Sequence, residues 1–311
     1  MTMTTLVVES VRKDGTDTEM QENKQPYPEK IAVIGGDRRT RAMSERLRAL
    51  GCDVEAIGND GEGMDGIAAI LSDARAVILP TPSFVEDHYV FGTQPPLDVH
   101  TLFSLVGDRT AVYGGRISGA IWQVASSMGV RLTDYMQLEE VQLRNAIPSA
   151  EGAIYLAMQE MSVTLQGSRM AILGYGRIGR ALAQRLASWG AQVSVAVRRR
   201  DALEQVQSAG YTPIFMENGL LTHPLVGYDA VFNTVPARII EEEALDHISA
   251  GTLLIELASA PGGWSPQAAA RKDLRVIYAP GLPAKYAPDS AGALIADVLY
   301  ERMRDGEEGV P

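Results

Sequence analysis

From residue 170 to residue 200 the chain reads MAILGYGRIGRALAQRLASWGAQVSVAVRRR, and this stretch limits the possible folds more than any other. The apolar run 170–173 has the character of a strand buried on both faces. It leads directly into Gly174, Tyr175, Gly176, Arg177, Ile178 and Gly179. In that G-x-G-x-x-G spacing the first glycine allows a tight turn and the second lets a pyrophosphate approach the backbone. The third lets the next helix pack close to the strand. The spacing predicts a helix over 177–189 whose free N–H groups and positive dipole end face a phosphate. Gly190 ends that helix, and 192–197 reads as a second buried strand.

The end of that second strand bears on the cofactor. An acidic residue there serves the ribose 2′-hydroxyl of NAD, whereas arginine accommodates the 2′-phosphate of NADP. Arg198, Arg199 and Arg200 stand there and Asp201 only after them, so the expected cofactor is NADP rather than NAD. Asp201 would serve NAD if the strand ran further.

With 311 residues the chain is long enough for two domains. No apolar run approaches the ~18 residues that span a bilayer, and the polar start lacks a signal peptide's apolar core, so no membrane is expected. Cys52 is the single cysteine, which leaves no intrachain disulfide and no thiolate metal site; the expectation is a cytoplasmic protein without metal. A formal net charge of −11 argues against nucleic acid as a partner. An anionic substrate must then be drawn in by local arginines.

The rest of the chain supplies both a second unit and those arginines. Residues 1–28 mix charged, polar and proline residues without periodicity and read as a disordered tail. Residues 29–148 form the expected N-terminal substrate domain. Within it a strand at 31–34, a turn at Gly35, Gly36 and Asp37, a helix over 38–50 and a strand at 53–57 make a simpler βαβ unit. Gly36, Asp37 and Arg39 are candidate substrate contacts, because helix N–H groups and guanidinium donors can converge on a carboxylate. Further strands at 76–79 and 110–113 end in Pro80-Thr81-Pro82-Ser83 and Gly114-Gly115-Arg116, which makes Arg116 another candidate anion contact. Residues 84–97 read as a long loop over the sheet edge, a lid that would carry His88. Residues 149–166 form the expected interdomain helix, begun by Pro148 and Ser149, which brings Asn145, Ser149 and Glu151 toward the cleft.

Residues 167–288 complete the expected NADP-binding domain. Its later strands, at 229–233, 252–257 and 275–278, end on the same carboxyl edge as the glycine loop, with Asn233, Thr234, Val235 and Pro236 passing the cofactor. The tail 289–311 holds a last helix that would pack back on the first domain. The fold class is therefore α/β, with two Rossmann-like doubly wound domains joined by a long helix.

The segments IAVIGGD, NAIPSAEGAI, GSRMAILGYGRIGR, FNTVPA, ELASAPGG and APGLPAKYAPDSAG occur in the order seen in the dipicolinate synthase A-subunit family. The chain resembles that family from about residue 30 to residue 299. The resemblance implies an NADP-dependent oxidoreductase that converts a dihydrodipicolinate-type ring to pyridine-2,6-dicarboxylate. It also implies work beside a flavoprotein-like B-subunit of dipicolinate synthase, in the mother cell of a sporulating bacterium. Such a small dicarboxylate needs cationic or N–H donors at both ends, and Arg39, Arg116 and the Gly36 loop are the candidates. Glu151 is the candidate general base on position alone, with His88 the other titratable group expected near the cleft. Cofactor domains of this type often pair, and a homo-oligomer is expected on that ground only. Two other readings stay open: a two-domain 2-hydroxy-acid or amino-acid dehydrogenase, and a non-catalytic subunit that binds NADP to regulate a partner. The first usually relies on a histidine near the last strands, and 279–292 contains none, which leaves only Lys285 for that role.

Overall fold

A computed structural model describes residues 29–58, 66–249, 251–272 and 274–306. The tail expected over 1–28 lies outside the described residues.

Among the described residues the first half builds a parallel sheet from β1 (Lys30–Ile34), β2 (Asp53–Ile57) and β3 (Ala76–Ile78), followed later in the chain by further strands. Helices α1 (Arg38–Ala49) and α2 (Ile67–Asp73) connect these three. A short hairpin, β4 (Phe84–Val85) and β5 (Tyr89–Val90), and α3 (Val99–Leu105) precede β6 (Ala111–Gly114). Then come α4 (Gly119–Ser127) and β7 (Arg131–Asp134). The sheet order is β2-β1-β3-β6-β7, so the connection direction reverses between β1 and β3. In such a sheet the loops after those two strands diverge and leave a crevice at their carboxyl ends. Val33, Val77 and Val112 on neighbouring strands are fully buried, as continuous β-branched runs covered by helices on both faces require.

The second half repeats the plan. After α5 (Glu139–Glu160) come β8 (Arg169–Leu173), α6 (Arg177–Ser188), β9 (Gln192–Val197), α7 (Arg200–Ser208) and β10 (Thr212–Phe215). Then follow β11 (Ala230–Asn233), α8 (Glu242–Leu245), β12 (Leu253–Glu256), α9 (Pro266–Arg271) and β13 (Arg275–Tyr278). This sheet is also parallel, in the order β10-β9-β8-β11-β12-β13, with its reversal between β8 and β11. The α/β class with two doubly wound sheets agrees with the sequence reading.

Two local readings are corrected. The long helix α5 begins at Glu139 rather than at Ser149, and Pro148 lies inside it. Glu139 and Glu140 complement the dipole of its first turn. Pro148 cannot donate to the carbonyl four residues earlier; beside it the Ser149 hydroxyl donates to the Asn145 carbonyl at 2.8 Å. The helix therefore runs through a sequence that reads as a start. The segment 84–97 is not a lid. Phe84, Val90 and Leu97 are buried in the core of the first sheet, and the Phe91 N–H donates to Ser83 while its carbonyl accepts from Gly36.

The chain then returns to where it began. After α10 (Leu282–Tyr286), helix α11 (Pro288–Arg304) crosses back and packs on α1. Ile295, Val298, Leu299 and Met303 share one core with Ile31, Met43 and Leu47. Burying each such side chain stabilises the fold by about 1.5–3 kcal/mol relative to exposure. Gly292 permits the approach, because a Cβ there would stand 2.2 Å from the Arg39 carbonyl oxygen and 2.8 Å from Ala42 Cβ. Arg46–Asp297 and Arg38–Asp289 pairs at 2.6 Å flank the crossing, where as exposed pairs they add little. The Arg38 guanidinium holds the Asp289 carboxyl below its usual range, so this contribution is present at neutral pH and fades as acid protonates the carboxyl. Gly292→Val is expected to destabilise the protein by about 1–3 kcal/mol through overpacking, read from the urea unfolding midpoint.

Candidate active site

The two sheets turn their carboxyl edges toward one another, and two cavities open there. The first, of about 650 Å³, lies on the second domain at its reversal point. Gly174, Tyr175 and Gly176 from the loop after β8, Arg198 and Arg199 after β9, and Thr234, Val235 and Pro236 after β11 line it. The glycines behave as a dinucleotide cradle demands. A Cβ on Gly174 would meet Thr234 and Val235 at under 3 Å, and one on Gly179 would stand 2.2 Å from the Gly174 carbonyl. A Cβ on Gly176 would meet nothing, so that position opens to the cavity. The donor set therefore fits a dinucleotide phosphate at the N-terminus of α6.

The other residues expected at the cofactor have other surroundings. Arg177 pairs with Glu139 at 2.7 Å, and Arg200 lies over the Phe215 ring with its guanidinium carbon 4.8 Å from the centroid. Arg199, which does line the cavity, also meets Asp201 at 3.2 Å. Asn233 is fully buried behind the loop and does not line the cavity. Its amide donates to Glu256 Oε1 at 2.7 Å and to the Val235 carbonyl at 2.9 Å, and its Oδ1 accepts from the Val235 N–H. Glu256 in turn accepts from the Ala258 and Gly263 N–H groups. This bracket ties the loop of the first cavity to the loop after β12, which borders the second. Two arginines were missed in the sequence: Arg180, 4.1 Å over the Tyr175 ring, and Arg238 both line the cofactor cavity. Arg180 stands one turn into a helix that reads as ordinary surface, so only its position beside Tyr175 reveals it.

The second cavity, of about 430 Å³, lies between the domains. Arg39, Thr81, Arg116 and Gln137 line its N-terminal side; Ile178, Leu257 and Ser259 line the side of the cofactor domain. Asn145 and Ser149 reach it from α5, one helical turn apart on a single face. Arg39 is held rigidly. The Asp37 carboxylate caps α1 by accepting from the Arg39 N–H and also grips the guanidinium, at 2.7 Å for Nη2 and 3.0 Å for Nε. The same guanidinium donates to the Thr81 carbonyl. Beneath it the Tyr135 hydroxyl donates to the Leu79 carbonyl at 3.0 Å, and burial holds that phenol far above its usual pKa. Gln137 was not a sequence candidate; it follows a strand end in a short 3-10 turn, where no residue pattern distinguishes it.

Several expected residues are elsewhere. Glu151 does not face the cavity: its carboxylate pairs with Arg185 on α6 at 3.2 Å and its side chain is 59% exposed. Glu151 lies two residues past Ser149, about 200° round the helix from the face that lines the cavity. His88 sits at the exposed tip of the β4–β5 hairpin, edge-on to Tyr89 at 4.3 Å between centroids, and does not line either cavity. Gly36 donates its N–H to the Phe91 carbonyl at 2.6 Å and is closed off by Gly92, so that amide is spent within the fold. Asp37 acts on Arg39 rather than lining the cavity. Lys285 stacks on Tyr286 and likewise stays out of it.

Fold and cavities are of the kind found in two-domain, dinucleotide-binding oxidoreductases. Residues 144–261 match the family described as D-isomer specific 2-hydroxyacid dehydrogenase, NAD binding domain. Residues 30–136 match the N-terminal domain of the dipicolinate synthase A-subunit. The chain is 28% identical to the dipicolinate synthase A-subunit of Bacillus subtilis strain 168 over 90% of its own length and 98% of that protein. The crystal structure of this Bacillus subtilis protein superposes with a TM-score of 0.80 over 90% of this chain and 98% of that one. The corresponding structure from Bacillus halodurans, 27% identical, gives 0.80 over 88% and 97%. A transhydrogenase from Sinorhizobium meliloti, 18% identical over 89% and 94% of the two chains, shares the fold at 0.62. The chain is thus similar to the dipicolinate synthase A-subunit over 90% of its length, with the family's N-terminal domain matched over residues 30–136.

Glu151→Gln, which alters only an exposed ion pair, is expected to leave turnover within about twofold of the parent in a steady-state assay. Asn233→Leu leaves the buried Glu256 without its side-chain donor and should cost about 1–3 kcal/mol in urea unfolding.

Proposed function

We propose that this protein oxidises a dihydrodipicolinate to pyridine-2,6-dicarboxylate with NADP. The observation that carries the reading is the interdomain cavity, which sets Arg39 and Arg116 on one wall opposite Ile178 and Leu257, next to the glycine loop. Two guanidinium groups suit the two carboxylates of a planar ring, and apolar side chains opposite suit its face. Arg39, fixed by Asp37, would bind one carboxylate without further ordering, which lowers the entropic cost of orienting the ring. Asn145 and Gln137 supply neutral donors at the edge.

Gly174, Gly176, Thr234 and Val235 would hold the dinucleotide, which when bound supplies the hydride acceptor. With the dinucleotide bound, net loss of a hydride and a proton from the ring would give the aromatic dicarboxylate, NADPH and H⁺. Aromatisation makes the step strongly downhill, so the site's task is orientation and partial exclusion of water. Arg198 and Arg199 support NADP over NAD, with Arg180 and Arg238 adding positive charge at the same cavity. Likeness to the A-subunit supports a place in the mother cell of a sporulating bacterium, beside a partner resembling the B-subunit. The described residues contain no helix long and apolar enough to cross a membrane.

Purified chain, with and without the B-subunit, should reduce NADP and produce dipicolinate absorbance when given the product of dihydrodipicolinate synthase. Arg39→Ala and Arg116→Ala should each raise KM about 10- to 100-fold, the worth of a charge-assisted contact. Replacing Arg198 and Arg199 by serine should weaken NADP about 10-fold or more while NAD changes little. Tight NADP binding with no change in either band, even with the B-subunit, would sink the proposal in favour of another anion or a regulatory role.

A further inference from the structure

Arg116 occupies a backbone conformation in which a side chain is a liability. Its φ is +59°, in the left-handed region that glycine adopts without penalty, and Gly114 and Gly115 stand immediately before it. A non-glycine residue persists in such a region only when its surroundings over-determine it, and such residues gather at functional sites. Of the three other left-handed non-glycine residues among the described ones, Glu86 and Asp87 sit at the hairpin tip and Asn218 in a turn, and none of them lines either cavity. Arg116 lines the interdomain cavity with a guanidinium that makes no hydrogen bond or ion pair among the described residues.

What over-determines it is Asp134. This residue ends β7, in register with Gly114 across the ladder, and is only 6% exposed. Its Oδ1 accepts from the Arg116 N–H at 3.0 Å and from the Met136 N–H at 2.9 Å; its Oδ2 accepts from the Ile117 N–H at 3.0 Å. One buried carboxylate thus collects three backbone donors from two loops that both line the cavity. On the other side Ser83 Oγ accepts from the Gly115 N–H at 2.7 Å, and the Ser83 N–H donates to the Gly115 carbonyl. The turn is pinned from both flanks, and the strained residue is the one that carries the charge.

We infer that Asp134 is a positioning residue: it holds Arg116 in the left-handed turn that points a free guanidinium at an anionic substrate, and sets the Met136–Gln137 wall beside it. The substrate in this inference rests on the functional reading above; the clamp itself does not. An amide at 134 cannot accept three backbone bonds as a carboxylate does, and it places an NH₂ against N–H groups.

The test is a double-mutant cycle on the full chain with Asp134→Asn, Arg116→Gly and the pair. Thermal melts and calorimetric titration with pyridine-2,6-dicarboxylate and with NADP provide the readouts. Glycine adopts the turn unaided, so the loss of Tm caused by Asp134→Asn should be at least halved in the Arg116→Gly background. Asp134→Asn should weaken the dicarboxylate about 10-fold. The pair should bind it no worse than Arg116→Gly alone, and NADP affinity should be the same in all four proteins. Losses that simply add, in melting and in binding, would overturn the inference and leave Asp134 as a support of the fold. Should Asp134→Asn alone not accumulate as folded protein, its recovery in the pair supports the clamp and failure to recover overturns it. A parent protein that does not bind the dicarboxylate defeats the functional reading, and the melting cycle then decides the clamp by itself.

Discussion

Helix α11 lies so close on α1 that the Gly292 position abuts the Arg39 carbonyl, and much of the molecule depends on that contact. The chain leaves the N-terminal sheet at α5, builds the second sheet, and must come back to bury the apolar face of its last helix. Ile295, Leu299 and Met303 are buried there with Ile31, Met43 and Leu47 of the first domain. Their burial closes the chain on itself and fixes the first turn of α1, where Asp37 and Arg39 stand. A stability element and a wall of the interdomain cavity are therefore the same backbone. A change that loosens the crossing should be felt in the cavity.

Parallel topology then decides where ligands can go. Both sheets reverse connection direction once, between β1 and β3 and between β8 and β11, and each reversal leaves a crevice at the carboxyl ends of the strands. The crevice of the second sheet becomes the dinucleotide cavity. The loops after β1, β3, β6 and β7 face the loops after β12 and β13, and the space between them is the second cavity. The buried Asn233–Glu256 pair links the two, because it braces a loop of each. The cavities are neighbours by construction.

Charge is handled locally in a chain whose formal net charge is −11. Several arginines near the cavities already have a carboxylate partner: Arg39 with Asp37, Arg177 with Glu139, Arg199 with Asp201. Such pairing orients a guanidinium and leaves its remaining donors for a ligand. Arg116 differs, since it is placed through its backbone and its charge is left uncompensated among the described residues. An anion gains most from that group, and the strained turn is what keeps it available.

The glycine loop, the buried strands and the arginines at 198 and 199 were legible in the sequence because each rests on contacts between residues near in the chain. A turn needs glycine at a set spacing, a doubly covered strand needs a continuous apolar run, and these patterns survive without tertiary context. Arg39 and Arg116 were legible for a similar reason: each follows a recognisable strand, and strand ends in open α/β sheets carry ligands. Glu151, His88 and Gly36 misled because their roles depend on phase and packing. Pro148 and Ser149 imitate a helix start, but α5 begins at Glu139, and the face that carries Glu151 packs toward Arg185 rather than toward the cavity. The segment 84–97 looks like a lid until Phe84, Val90 and Leu97 are seen in the core, with the Gly36 amide consumed by Phe91. Two doubly wound units and a dinucleotide site could be read from residue order alone, since local spacing is enough for both. Which side chains meet in the cleft emerged only from the assembled fold, because helix phase, the return of α11 and the Asp134 clamp join residues far apart in the chain.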